Sequence, residues 1–152
     1  MTVKNRWLVP VAALCTIAVL GVFRPRTVGA QDTKTQWDGV YTAEQAGRGE
    51  DLYGSKCGGC HGAELNGGEL APSLTGGVFV GNWSDLTLSD LAERIRTSMP
   101  QNNPGSLSRE QTADIVAFLL QKGNYPVGMQ ELPAADALLK TIKFVQNKPG
   151  GD

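Results

Sequence analysis

The most constraining stretch of this 152-residue chain is Cys57-Gly58-Gly59-Cys60-His61. Two cysteines separated by two residues, with a histidine directly after the second, leave few chemistries open. A structural zinc site needs four nitrogen or sulfur ligands, and this run supplies fewer. His61 is the only histidine in the chain, so no second imidazole can complete such a site. A redox pair of the Cys-x-x-Cys kind calls for a βαβ setting, whereas the periodicity here is helical. A plain disulfide across two residues would be strained and would leave His61 and the surrounding glycines without a role.

The reading that uses every residue of the run is covalent attachment of one c-type haem. Two thiolates, Cys57 and Cys60, add across the two vinyl groups, and His61 presents its imidazole to the iron from the same side. Composition agrees with a cofactor at the centre of the fold. Aromatic residues make up 7% of the chain and there are 19 glycines, so the polypeptide alone builds a modest core. A haem adds a large apolar body to it.

The cysteine count depends on how the N-terminus is read. Lys4 and Arg6 precede an almost wholly apolar run from Trp7 to Phe23, and Val28-Gly29-Ala30 follows with small residues. That is the layout of a secretory signal with cleavage between Ala30 and Gln31. The competing reading is an uncleaved membrane anchor, for which the run is short and Arg24 and Arg26 are well placed. Cleavage removes Cys15 together with Lys4, Arg6, Arg24 and Arg26. The mature chain then carries 10 basic against 15 acidic residues, a formal charge of −5. Such a surface suits redox protein partners and excludes nucleic acid as a natural one. The expected location is periplasmic or otherwise exported, with membrane contact only if the N-terminal segment is retained.

Residues 31–40 are polar and read as a flexible, unstructured lead-in. Thr42 and Gln45 form a capping-box pattern for a helix over 43–56, whose buried face holds Ala46, Gly49 and Tyr53. Glycine inside a helix is costly, so Gly49 needs a packing reason, namely close approach of another helix. Residues 58–81 show no periodicity and read as loop. Thr87 with Asp90 opens a second helix, with Leu88, Leu91, Ile95 and Met99 on one side. Pro100 stops that helix near Ser98. Residues 101–107 are loop. Ser108 with Gln111 opens a helix over 109–122 with Ile115, Val116, Phe118 and Leu119 on its apolar side, ended by Gly123 and Pro126. A short helix falls within 133–140, with Leu138, Leu139, Ile142 and Phe144 as packing residues. No alternating strand is evident.

With no second histidine, the soft thioether of a methionine is the natural sixth ligand. Met99 and Met129 are the two candidates outside the leader, either of which can instead be core filler. Met99 follows His61 by 38 residues, sits at a helix exit, and precedes the loop Gln101-Asn102-Asn103-Pro104-Gly105. It is the preferred ligand.

These motifs together resemble a class I cytochrome c, in particular the single-haem cytochromes associated with periplasmic quinoprotein dehydrogenases. The resemblance spans most of 41–125. It rests on Gly49-Glu50-Asp51-Leu52-Tyr53, Cys57 to His61, Ala71-Pro72-Ser73-Leu74-Thr75-Gly76, Arg94 to Pro100, and Ile115 to Leu119. It implies an all-α fold of three to four main helices around one covalent haem. A cytochrome domain occupies 41–126, and 127–152 is a C-terminal extension packing on it or trailing from it. The first helix crosses the last, with Gly49 and Tyr53 meeting Phe118 or Leu119. The Pro72 carbonyl accepts a hydrogen bond from His61 Nδ1, and Met99 is the distal ligand. Trp83 contacts a haem propionate or is a packing aromatic. The implied role is an electron carrier, with no catalytic residues, passing single electrons from a donor dehydrogenase to an acceptor oxidase or cytochrome. An open-site haem enzyme and a gas sensor in which Met99 dissociates are the rival roles.

Overall fold

Each of the three long helices starts where a side-chain oxygen takes a backbone N–H that the helix itself cannot satisfy. The computed structural model describes residues 33–150, so the expected leader and its cleavage point lie outside the described residues. In chain order the elements are β1 (Lys34–Thr35), α1 (Ala43–Lys56), α2 (Gly58–His61), α3 (Gly76–Trp83), α4 (Leu88–Ser98), α5 (Arg109–Lys122), α6 (Asp136–Leu139) and β2 (Ile142–Lys143). The class is all-α, with one minimal two-stranded ribbon. Among the described residues no helix is long and apolar enough to cross a membrane.

The capping boxes at Thr87/Asp90 and Ser108/Gln111 are both closed reciprocally. The box expected at Thr42 is only half made. Thr42 Oγ1 accepts from the Gln45 N–H at 3.2 Å, but the Gln45 side chain turns elsewhere. It donates to the Leu132 carbonyl at 3.0 Å and accepts from the Leu132 N–H at 2.7 Å. A buried amide thus pairs with a stretch of backbone, tying α1 to the C-terminal extension.

α1 and α5 cross at Gly49. A Cβ there would lie 1.9 Å from the Asp114 carbonyl oxygen and 2.8 Å from the Phe118 Cβ, so only glycine lets the two backbones meet. One helical turn further on, the Tyr53 and Phe118 rings pack at 5.2 Å between centroids. Arg48 bridges the same crossing, with two bonds to Asp114 and a third to Glu131 at 2.9 Å. α5 is buried more completely than its periodicity suggests. Thr112, Ala113, Ala117 and Leu120 join the four residues expected inside. The cause is its position, packed by α1 on one side and α4 on another.

Several expectations are corrected. Residues 58–81 are not continuous loop: α2 and α3 lie within them. α3 forms despite Gly77 and Gly81, each costing about 1 kcal/mol in a helix. Phe79 anchors it, buried edge-on against Phe144 at 6.2 Å. Nor is the lead-in unstructured from Lys34 onward. β1 pairs in parallel with β2, Lys34 opposite Ile142 and Thr35 opposite Lys143. Gln36, fully buried, donates to the Val145 carbonyl and accepts from the Val145 N–H. The left-handed residue closing α5 is Asn124 (φ 61), while Gly123 keeps φ −78. Leu138 is exposed, whereas Leu139, Ile142 and Phe144 pack inside as expected.

Candidate haem site

The site begins where α1 runs out. The Cys57 N–H donates to the Tyr53 carbonyl at 2.8 Å, closing α1, and the Cys57 carbonyl accepts from the N–H groups of Cys60 and His61 at 3.1 and 3.0 Å. The single turn α2, with Cys57 as its N-cap, therefore places both cysteines and the histidine side by side. Cys57 is half-buried and Cys60 exposed, and both are free thiols. Burial pushes the Cys57 thiol up from its ordinary pKa, and the neighbouring Cys60 adds to the shift.

His61 is 7% exposed, and its Nδ1 lies 2.8 Å from the Pro72 carbonyl oxygen. A carbonyl can only accept, so Nδ1 carries a proton, and in the neutral imidazole Nε2 keeps its lone pair. This is the arrangement that orients a histidine toward a metal and raises its basicity.

The loop between His61 and Thr75 is held almost entirely by its own backbone. The Gly67 N–H donates to the His61 carbonyl at 2.9 Å, the Leu74 N–H to the Leu65 carbonyl at 2.8 Å, and the Gly68 N–H to the Ala71 carbonyl at 2.9 Å. The Ser73 hydroxyl touches the carbonyls of both Leu65 and Thr75 at 3.0 Å. Leu65 is completely buried and takes a left-handed backbone (φ 60). From α1, the Tyr53 hydroxyl donates to the Gly62 carbonyl at 2.6 Å. Burial, and then the charge of Cys57, push the Tyr53 phenol up to about 12. Tyr53 is legible in the sequence as a packing residue. Its hydroxyl role has one signal only, the four-residue spacing that sets it on the same helix face as Cys57. Gly67 and Ser73 carry no signal that reasoning from spacing detects.

The remaining expected residues come from other elements. Met99 follows the last residue of α4 with extended backbone (φ −124, ψ 148) and packs half-buried against the core. Trp83 ends α3, also half-buried, with its ring 6.3 Å from that of Phe79. Met129 is 96% exposed. Of the expected site residues, hydrogen bonds join Cys57, Cys60, His61 and Pro72 directly, while Met99 and Trp83 share the adjoining hydrophobic cluster. Among the described residues no group of three or more His, Cys, Asp or Glu side chains is placed to hold a metal ion. The donor set of two free thiols and one imidazole with a free Nε2 fits a covalent haem.

Half of the chain, residues 44–119, matches the family model described as cytochrome c oxidase, cbb3-type, subunit III. No curated protein matches. Among solved structures, the sulfane dehydrogenase SoxCD from Paracoccus pantotrophus is similar at 27% identity and a TM-score of 0.45. The match covers 70% of this chain and 60% of that one, so the chain spans less than two thirds of the SoxCD chain's length.

Proposed function

This chain belongs to the c-type cytochrome family of cbb3-type oxidase subunit III, and we propose that it is an electron carrier whose haem c is held by Cys57, Cys60, His61 and Met99. Bound haem supplies an iron that alternates between ferric and ferrous states. Cys57 and Cys60 provide the two thioether links. His61 coordinates through Nε2, and the Pro72 carbonyl keeps that ring oriented and electron-rich. Met99 would be the second protein ligand, its soft thioether favouring the ferrous state. Two protein ligands would suit the haem to passing electrons rather than to binding a substrate.

The 2.8 Å contact between His61 Nδ1 and the Pro72 carbonyl carries this reading, because it fixes the tautomer that leaves Nε2 free. Met99 is supported by its half-buried place beside the core at the exit of α4, against a Met129 standing almost wholly in water. Trp83 serves a propionate or the packing of α3. The partners are redox proteins, a donor dehydrogenase and an acceptor oxidase or cytochrome, meeting the acidic surface through small, transient interfaces. The N-terminal 30 residues direct export to the periplasm.

Absorption and magnetic spectra of two variants test the ligand set. Met99→Ala should abolish the low-spin ferric signature and its methionine–iron charge-transfer band while leaving haem covalently attached. Met129→Ala should do neither. The reverse pattern would overturn the assignment of Met99.

A further inference from the structure

We propose that Gly67 is a positioning residue for the iron: it is the spacer that lets the Pro72 carbonyl reach Nδ1 of His61, and so sets the reduction potential. The inference rests on the haem reading of His61 given above. Three stretches of backbone are stacked beside the histidine. The first is His61–Gly62, whose His61 carbonyl accepts from the Gly67 N–H at 2.9 Å. The second is Gly67 itself, whose carbonyl oxygen would lie 3.6 Å from a Cβ on Gly62. The third is the 71–73 segment, which bears the acceptor for Nδ1. Gly67 lies between the histidine backbone and the segment the histidine must bond.

Its geometry leaves no room for a side chain there. With φ +73, a Cβ on Gly67 would stand 2.4 Å from the Ser73 nitrogen, 2.6 Å from the Pro72 carbonyl carbon and 2.8 Å from the Ala71 oxygen. All three are backbone atoms, so none can rotate away. Ordinary contact begins at 3.4 Å, so the 71–73 segment would have to retreat by about 1 Å. The hydrogen bond to His61 starts at 2.8 Å and fails beyond about 3.5 Å. A retreat of that size along the bond breaks it. Ser73 holds the segment against such movement through its hydroxyl contacts with Leu65 and Thr75. A Cβ on Gly68, the next residue, would meet nothing within 4 Å, so that position takes no part.

The chemical consequence has a definite sign. A carbonyl accepting from Nδ1 gives the imidazole anionic character, which stabilises ferric iron. Losing it raises the reduction potential. The test is the potential of haem-loaded Gly67→Ala and Gly68→Ala, together with the exchange rate of the His61 Nδ1 proton followed by NMR. Gly67→Ala should shift the ferrous:ferric ratio at a fixed poise by about tenfold toward ferrous, about 59 mV for one electron, and the Nδ1 proton should exchange faster. Gly68→Ala should match the wild type in both. A haem-loaded Gly67→Ala with wild-type potential and exchange, or an equal shift in Gly68→Ala, overturns the proposal. If Gly67→Ala does not mature, Ser73→Ala carries the test: both readouts should move the same way, and wild-type values overturn it. Failure of the wild-type protein to bind haem through His61 would overturn the haem reading instead, and the wild-type spectrum reports that separately.

Discussion

Replacing Gly49 by alanine should destabilise the protein, although alanine is the better helix former. In the middle of α1 the exchange gains about 1 kcal/mol of helix propensity. Against this, the new Cβ would sit 1.9 Å from the Asp114 carbonyl oxygen, where ordinary contact begins at 3.4 Å, so α1 and α5 must part by about 1.5 Å at the crossing. Gaps of this order forfeit a quarter to a half, or more, of each dispersion contact. The Tyr53–Phe118 ring pair, in contact at 5.2 Å, lies beside the crossing and loosens with it. Overpacking of a core costs about 1–3 kcal/mol, and backbone-to-backbone collisions fall at the upper end or beyond. The net expectation is a loss of about 2 kcal/mol or more. Gly47 provides the internal reference: it lies in the same helix, and a Cβ there meets nothing within 4 Å. Gly47→Ala should therefore gain about 0.5–1 kcal/mol. For a domain of this size 1 kcal/mol corresponds to roughly 4 °C in Tm. Thermal unfolding of the haem-loaded variants followed by circular dichroism should show Gly49→Ala lowered by roughly 8 °C or more and Gly47→Ala raised by a few degrees. Equal stability of the two variants would refute the helix-crossing argument.

Gln45→Ala removes both bonds to Leu132 and leaves a buried N–H and carbonyl unpaired, which should cost about 2–3 kcal/mol in denaturant unfolding; a loss below about 0.5 kcal/mol would mean that the C-terminal extension is not held there. Alkali should unfold the protein through its tyrosines. Burial raises Tyr41, Tyr53 and Tyr125, with Tyr53 reaching about 12. A raised folded-state pKa contributes stability that is complete below the unfolded value near 10 and disappears as the pH climbs through the folded one. Stability should thus be level up to about pH 10 and fall toward pH 12. Tyr53→Phe should start about 1 kcal/mol lower for want of the Gly62 bond, yet fall less steeply. Phenolate absorbance from Tyr53 appearing near pH 10 in the folded protein would contradict this.

The parts of the fold legible from sequence are those fixed by local chemistry. α4 and α5 start at capping boxes that close as their residue spacing implies, and Met99 leaves α4 because Pro100 follows. The attachment run is legible for the same reason, since its meaning lies in adjacent residues. What escapes depends on distant partners. α3 looks like loop because three glycines dominate it, and only the burial of Phe79 against Phe144, 65 positions away in the chain, reveals the helix. Gln36 and Gln45 look like surface residues. Each instead is buried by pairing with backbone across the molecule, the bonds spanning 109 and 87 positions. Periodicity has no means of anticipating a polar side chain satisfied by so remote a stretch of backbone. Gly67 is hidden similarly: it is one glycine in a glycine-rich stretch, distinguished only by what its absent side chain would strike.

The central claim is the covalent tether at Cys57 and Cys60. Mass spectrometry of the matured protein under denaturing conditions tests it most directly. One haem's mass should remain on the peptide containing both cysteines after acid–acetone treatment, and should vanish when both are changed to alanine. A polypeptide of unmodified mass, with any colour passing into the organic phase, would contradict it.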